Sequence, residues 1–229
     1  MDTFFAVAVL LTVYLLFRHF RFKRLVAAGQ SHGLTISAGP LPDERAQWST
    51  LANIVHTHVP TSWGYSVHGL LDGQPLRMQE QEIRSTLGSN RVWHTLVVVD
   101  LKDNILPEFT LRAGGGRPVL RQLLAPIVDP LVRSLGGELA PPDPGAGISS
   151  IAVDTEFCNR WLLAGSDPAA LERFFDACMR RRLLALDIKG EIGGSGTLLV
   201  WFTEASLSPS ELNQLLQGAR EVRDAIASQ

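Results

Sequence analysis

Hydrophobic and polar positions fall into three regimes along the chain. The first is a run without charge, "TFFAVAVLLTVYLLF" from Thr3 to Phe17, followed at once by the basic "RHFRFKR". As a helix the run covers roughly 22 Å, short of a hydrocarbon core of about 30 Å. Phe20 and Phe22 extend it. Arg18, Arg21, Lys23 and Arg24 can reach toward lipid phosphates, and Tyr14 with the two phenylalanines suits an interfacial belt. Residues 1–28 therefore read as a transmembrane anchor with a basic membrane-interface flank. A secretion signal needs its positive charge before the apolar run, but Asp2 leads here, and the cleavage-like "VAA" at 26–28 lies beyond the basic cluster. A helix lying flat on the membrane needs a one-sided stripe, and this run is apolar all round. Because basic flanks stay in the cytoplasm, the pattern predicts a single pass with the N-terminus outside and the remainder cytoplasmic.

Residues 29–62 read as a helical connector. Breakers in "AGPLPDERAQW" precede Trp48, Leu51, Ile54 and Val55 at helical spacing. From Tyr65 the period changes to two. Asp72-Gly73 predicts a hairpin turn, "RVWHTLVVVDL" a buried strand, and "LPEFTLRA" a short edge strand. Leu120 to Leu135 returns to helical period, with Pro126 and Pro130 as kinks and Gly136-Gly137 as the stop. Residues 63–137 thus form an antiparallel meander plus a kinked helix, and "APPDPGAG" is a linker.

Residues 148–229 read as ββαββα, packed with the preceding half as one unit. "ISSIAVD" and "FCNRWLLAG" are the first strand pair. Asp167-Pro168 opens a helix with Leu171, Phe174, Phe175 and Cys178 as its buried stripe. "LLALDIKGEI" and "TLLVWFTEA" are the second pair, joined by "GGSG". The last helix opens on Ser208, Pro209 and Glu211, a capping box, and lines Leu212, Leu215, Leu216, Ala219, Val222 and Ile226 on one face. The fold class is α+β: one N-terminal transmembrane helix, then antiparallel sheet covered by helices.

Composition narrows the partners. A net charge of -2 does not favour nucleic acid. Cys158 and Cys178 make no disulfide framework, in keeping with a reducing compartment. No catalytic constellation assembles in the sequence. "GEIGGSGT" lacks the lysine and following helix of a phosphate loop and reads as a hairpin turn. His56, His58, His68 and His94 gather in the first half, and three of them with an acid would suffice for zinc, yet no metal-ligand spacing accompanies them. Asp100, Asp103 and Glu108 read as polar strand ends. Arg180, Arg181 and Arg182 are expected to end a helix, where they favour its dipole and are available for contact with anionic lipid.

Leu106, Pro107, Phe109 and Leu111 form an L-P-x-F-x-L segment. Phe157, Trp161, Leu163, Gly165 and Asp167 form F-x-x-x-[YW]-x-L-x-G-x-D, leading to the paired Phe174 and Phe175. This order, over roughly residues 60 to 227, resembles a bacterial membrane-associated protein family of unknown function. The chain departs from it at "RMQEQEIRS", where an aromatic strand is usual. The resemblance implies the fold and a membrane association, and no activity; the expected location is the bacterial inner membrane. The expected role is a membrane-anchored interaction protein without cofactor, an accessory subunit with a protein partner in the membrane or at its inner face. The alternative is a ligand- or metal-binding domain, possibly hydrolytic, built on the histidine-rich first sheet.

Overall fold

The computed structural model describes residues 2–40, 62–84, 91–113 and 155–227. Helix α1 (Asp2–Gln30) is long and apolar enough to cross a membrane, and its apolar window is not buried by the domain. At 1.5 Å per residue it is about 43 Å long. The strands follow as β1 (Thr35–Ala38), β2 (Ser62–Leu71), β3 (Gln74–Arg84), β4 (Arg91–Asp100) and β5 (Leu106–Ala113). Then come α2 (Thr155–Arg160), β6 (Trp161–Gly165), α3 (Pro168–Phe174), α4 (Ala177–Ala185), β7 (Glu191–Gly196), β8 (Leu198–Thr203) and α5 (Pro209–Ala227). All strands join one antiparallel sheet in the order β1-β2-β3-β4-β8-β7-β5-β6.

Alternation sets the two faces of this sheet. Val67, Met78, Val97, Leu111, Ile192, Leu199 and Trp201 face the helices and join one core with Leu25 of α1 and Leu212, Leu215, Leu216, Ala219, Val222 and Ile226 of α5. Every predicted buried position of α5 is buried. Ser208 accepts from the Glu211 N–H at 3.2 Å, as a helix cap does, and its hydroxyl donates to the Glu211 carboxylate at 2.8 Å. On the other face Ile83, Leu96, Val98, Val200 and Phe202 form a smaller buried cluster. Asp72 and Gly73 take φ of 51° and 86°, the paired left-handed conformation of a type I′ hairpin turn.

Several sequence expectations are corrected. The 29–62 connector is not wholly helical, because Thr35–Ala38 pairs with Tyr65–His68 as β1; residues 41–61 lie outside the described ones. The two halves interleave: the β7–β8 hairpin enters between β4 and β5, so β5 is an interior strand, not an edge. Residues 155–160 are helical, with Phe157 and Trp161 four apart and both buried, a helical spacing hidden in an apparently extended segment. The helix begun at Asp167 stops at Phe175, and Asp176 caps a new one through the Met179 N–H at 2.7 Å. That restart turns Met179 and Leu183 inward and leaves Cys178 exposed, against its expected place in the stripe. The β7–β8 hairpin turns at Gly196-Thr197, with Gly196 at a φ of 59°, as expected, but Gly193 to Ser195 continue β7, where the Phe109 ring occupies the space a Cβ at Gly194 would take. "ISSIAVD" and the kinked helix of Leu120–Leu135 lie outside the described residues.

Candidate functional site: the junction of the apolar helix and the sheet

The last third of α1 leaves solvent and packs on the domain. Leu25 is fully buried, and Phe22 stacks on Tyr65 of β2 with ring centroids 5.5 Å apart. His32, just past the helix, hydrogen-bonds Asn213 of α5 through Nε2 at 2.7 Å.

At the centre is Glu80 of β3. Leu76 and Met78 set the core face of that strand, and alternation puts Glu80 on the same face, where its side chain is 3% exposed. A carboxylate in such a place needs charge and hydrogen bonds to offset lost hydration. Arg21 Nη2 donates to Oε1 at 3.0 Å, the Leu207 N–H donates to Oε1 at 2.8 Å, and the Tyr65 N–H donates to Oε2 at 3.2 Å. Arg21 also donates to the Leu207 carbonyl at 2.8 Å, and its guanidinium lies 5.5 Å from the Tyr65 ring centroid. One ion pair therefore ties α1, β2, β3 and the segment entering α5. Thr95 of β4 adds to that segment by donating to the Ala205 carbonyl at 2.8 Å. Gly64 makes the arrangement possible, since a Cβ there would lie 2.0 Å from Glu80 Oε2.

This places the sequence-predicted residues in a different order of importance. Arg21, expected only at the headgroups, is the domain's tether; Arg18, Lys23 and Arg24 are exposed on α1. Glu80 was not among the candidates. Its signal is legible afterwards: in "PLRMQEQE" the alternation that buries Leu76 and Met78 also turns Glu80, a charge, to the core face.

His68 and His94 share the sheet face away from the helices but do not converge. Strand β3 separates them, and the register offsets them by four residues, roughly 16 Å in all. The His94 ring stacks on Phe202 with centroids 4.9 Å apart. Among the described residues no group of three His, Cys, Asp or Glu side chains gathers as a metal site requires; His56 and His58 lie outside them. Asp100 accepts from the Lys102 N–H beside it at the end of β4, and Glu108 of β5 accepts from the hydroxyl of Ser166, which follows β6. Arg180 and Arg181 lie in the middle of α4 and Arg182 in its last turn, so the expected place at a helix end holds for Arg182 alone. Arg180 donates to the Phe175 carbonyl at 2.9 Å and Arg181 to that of Ala177 at 3.2 Å. Arg180 thus reaches back to the C-cap of α3 and Arg181 holds a first-turn carbonyl of α4, a helix that packs on α2 and α5.

No family model and no curated protein matches the chain. Among solved structures it is similar to the mycobacterial trehalose monomycolate transport factor A, TtfA, with a TM-score of 0.55 and 12% sequence identity. The likeness covers 89% of this chain and 92% of that one. At that identity it is a likeness of fold, and it extends over nearly the whole of both chains.

Proposed function

We propose that the chain is a membrane-anchored, non-catalytic interaction protein, the accessory subunit of an inner-membrane complex. Its N-terminus lies outside and its α+β domain is cytoplasmic. One observation carries this reading: the apolar helix runs without a break into the domain and is held there by the part-buried Arg21–Glu80 pair. A flexible anchor would only concentrate a domain near the membrane. A locked one fixes its height and orientation, which a subunit docking on another membrane protein needs and a freely diffusing enzyme does not. The fold shared with a transport factor supports the same role, as does the resemblance to bacterial membrane-associated proteins. The metal-binding alternative has no comparable support, since its described histidines do not meet.

The test is native purification in mild detergent followed by mass spectrometry. A stoichiometric membrane protein that co-purifies supports the accessory role. A chain recovered alone overturns it. A cysteine at position 3, labelled only from outside intact cells, checks the orientation.

A further inference from the structure

The two faces of the sheet treat their buried polar groups differently. Toward the helices, Glu80 and Thr95 are hydrogen-bonded. On the opposite face, alternation sets Gln79 and Gln81 of β3 in one row with Ile83, beside the apolar Leu96, Val98, Val200 and Phe202. Gln81 is 0% exposed and Gln79 5%. Gln79 Nε2 donates to the Tyr65 and Glu80 carbonyls at 3.3 and 2.8 Å, but its Oε1 has no partner. Gln81 has none at either Nε2 or Oε1. Packing alone favours apolar side chains here, because a buried amide without partners loses its hydration and gains nothing in return. Ser66, buried opposite Gln79, shows how such a group is otherwise settled: it bonds the Ser37 hydroxyl and the Gly39 carbonyl.

From these orphaned atoms we propose that the Gln79–Gln81 row recognises the main chain of an extended, uncharged peptide segment. For the source of that segment, the partner protein, the proposal rests on the accessory-subunit reading. The count of donors and acceptors selects a peptide. Gln79 lacks one N–H, and Gln81 lacks one N–H and one C=O. In an extended chain the N–H and C=O of one residue point to the same side, and the next residue to present them there lies two positions on, about 6.8 Å away. Gln79 and Gln81, two positions apart on β3, have the same spacing. One peptide residue then donates to Gln79 Oε1, and the residue two positions away donates to Gln81 Oε1 and accepts from Gln81 Nε2. The register sets Trp63 and His94 on either side of Gln81, and both are half-buried, so the row meets solvent along this rung. The nearest charge on this face of β3 is Arg77, four residues from Gln81 and about 13 Å away, which leaves an ionic ligand group unanswered.

Thermal unfolding of the full chain in mild detergent tests this with one variant and one probe. Gln81→Met keeps the volume and removes the orphaned atoms, and its Tm is expected to exceed that of wild type by about 2–4 °C. Gln81→Leu reads the same atoms should Gln81→Met fail to fold. The probe is acetyl-tetraalanine methylamide, which carries no charge and no polar side chain. At millimolar concentration it is expected to raise the Tm of wild type and to leave Gln81→Met unmoved. A Tm lowered by both substitutions overturns the proposal, because the amide is then paired in the free chain. A probe that moves neither chain, or both equally, overturns it as well. A probe response confined to wild type, in a chain that purifies from its membrane alone, overturns the accessory reading and leaves the peptide site standing.

Discussion

Replacing Arg21 by Met removes the cation of the junction while keeping most of its apolar stem. Glu80 then remains buried with two backbone N–H donors and no counter-charge. Breaking a fully buried pair in this way costs about 3–5 kcal/mol. The Arg21 side chain is 33% exposed against 3% for Glu80, so water can take over part of its role, and the expected loss is about 2–3 kcal/mol. For a chain of this size that lowers Tm by about 4–12 °C. Glu80→Gln keeps an acceptor for the Leu207 and Tyr65 amides and loses about 1–2 kcal/mol. Because both substitutions act on one contact, the double variant should lose less than the sum, with a coupling of about 1–2 kcal/mol. Thermal unfolding of the full chain in mild detergent gives the three values. Hydrogen exchange at the Leu207 amide reports the junction directly. Losses that add to within about 0.5 kcal/mol would refute the claim that this pair joins helix to sheet.

Three further outcomes follow from the same packing. Gly64→Ala puts a methyl where the Glu80 carboxylate lies and should destabilise by about 1–3 kcal/mol, with little added loss in an Arg21→Met background, as read by the same melts. Asp72 carries the hydrogen bond from Arg223 that holds its carboxyl below the ordinary value of 3.8, and Arg220 adds to it. With the folded-state value below the unfolded one, this carboxylate stabilises the fold above that pH and the contribution fades as pH falls through the folded value. Asp72→Asn preserves the turn, so the Tm difference from wild type should be constant above about pH 5 and vanish at lower pH; being half-exposed, the group gives a small difference. Ser208→Ala removes the α5 cap and should cost about 1 kcal/mol in the same unfolding assay.

What the sequence disclosed depended on whether the signal was local. The apolar helix, the Asp72-Gly73 hairpin, the buried β4 and the capped α5 are each decided by residues close together in the chain, and each is present. The errors arose where tertiary pairing decides. β5 looks like an edge strand because nothing in "LPEFTLRA" tells that a hairpin nearly eighty residues later will pair along it. The glycines of "GGSG" signal a loop until Phe109 is known to lie over them. Asp176 breaks one predicted helix into two because a capping aspartate also fits a helix interior by pattern alone.

The same division explains why the junction was missed. Arg21 belongs to a basic flank, and by charge and position it is indistinguishable from Arg18, Lys23 and Arg24. What separates it is its angular place on α1, one turn before the buried Leu25, so that it faces the domain while Arg24 does not. The clue lay instead in the partner. A glutamate following Leu76 and Met78 at period two is a charge in a core position, and such a residue requires a cation that alternation within its own strand cannot supply. Searching for that cation among the long-range basic residues leads to the flank of the apolar helix. The placement of α1 against the domain thus rests on contacts made by the helix itself, the Arg21–Glu80 pair together with Leu25 and the Phe22–Tyr65 stack, ahead of the connector that follows it.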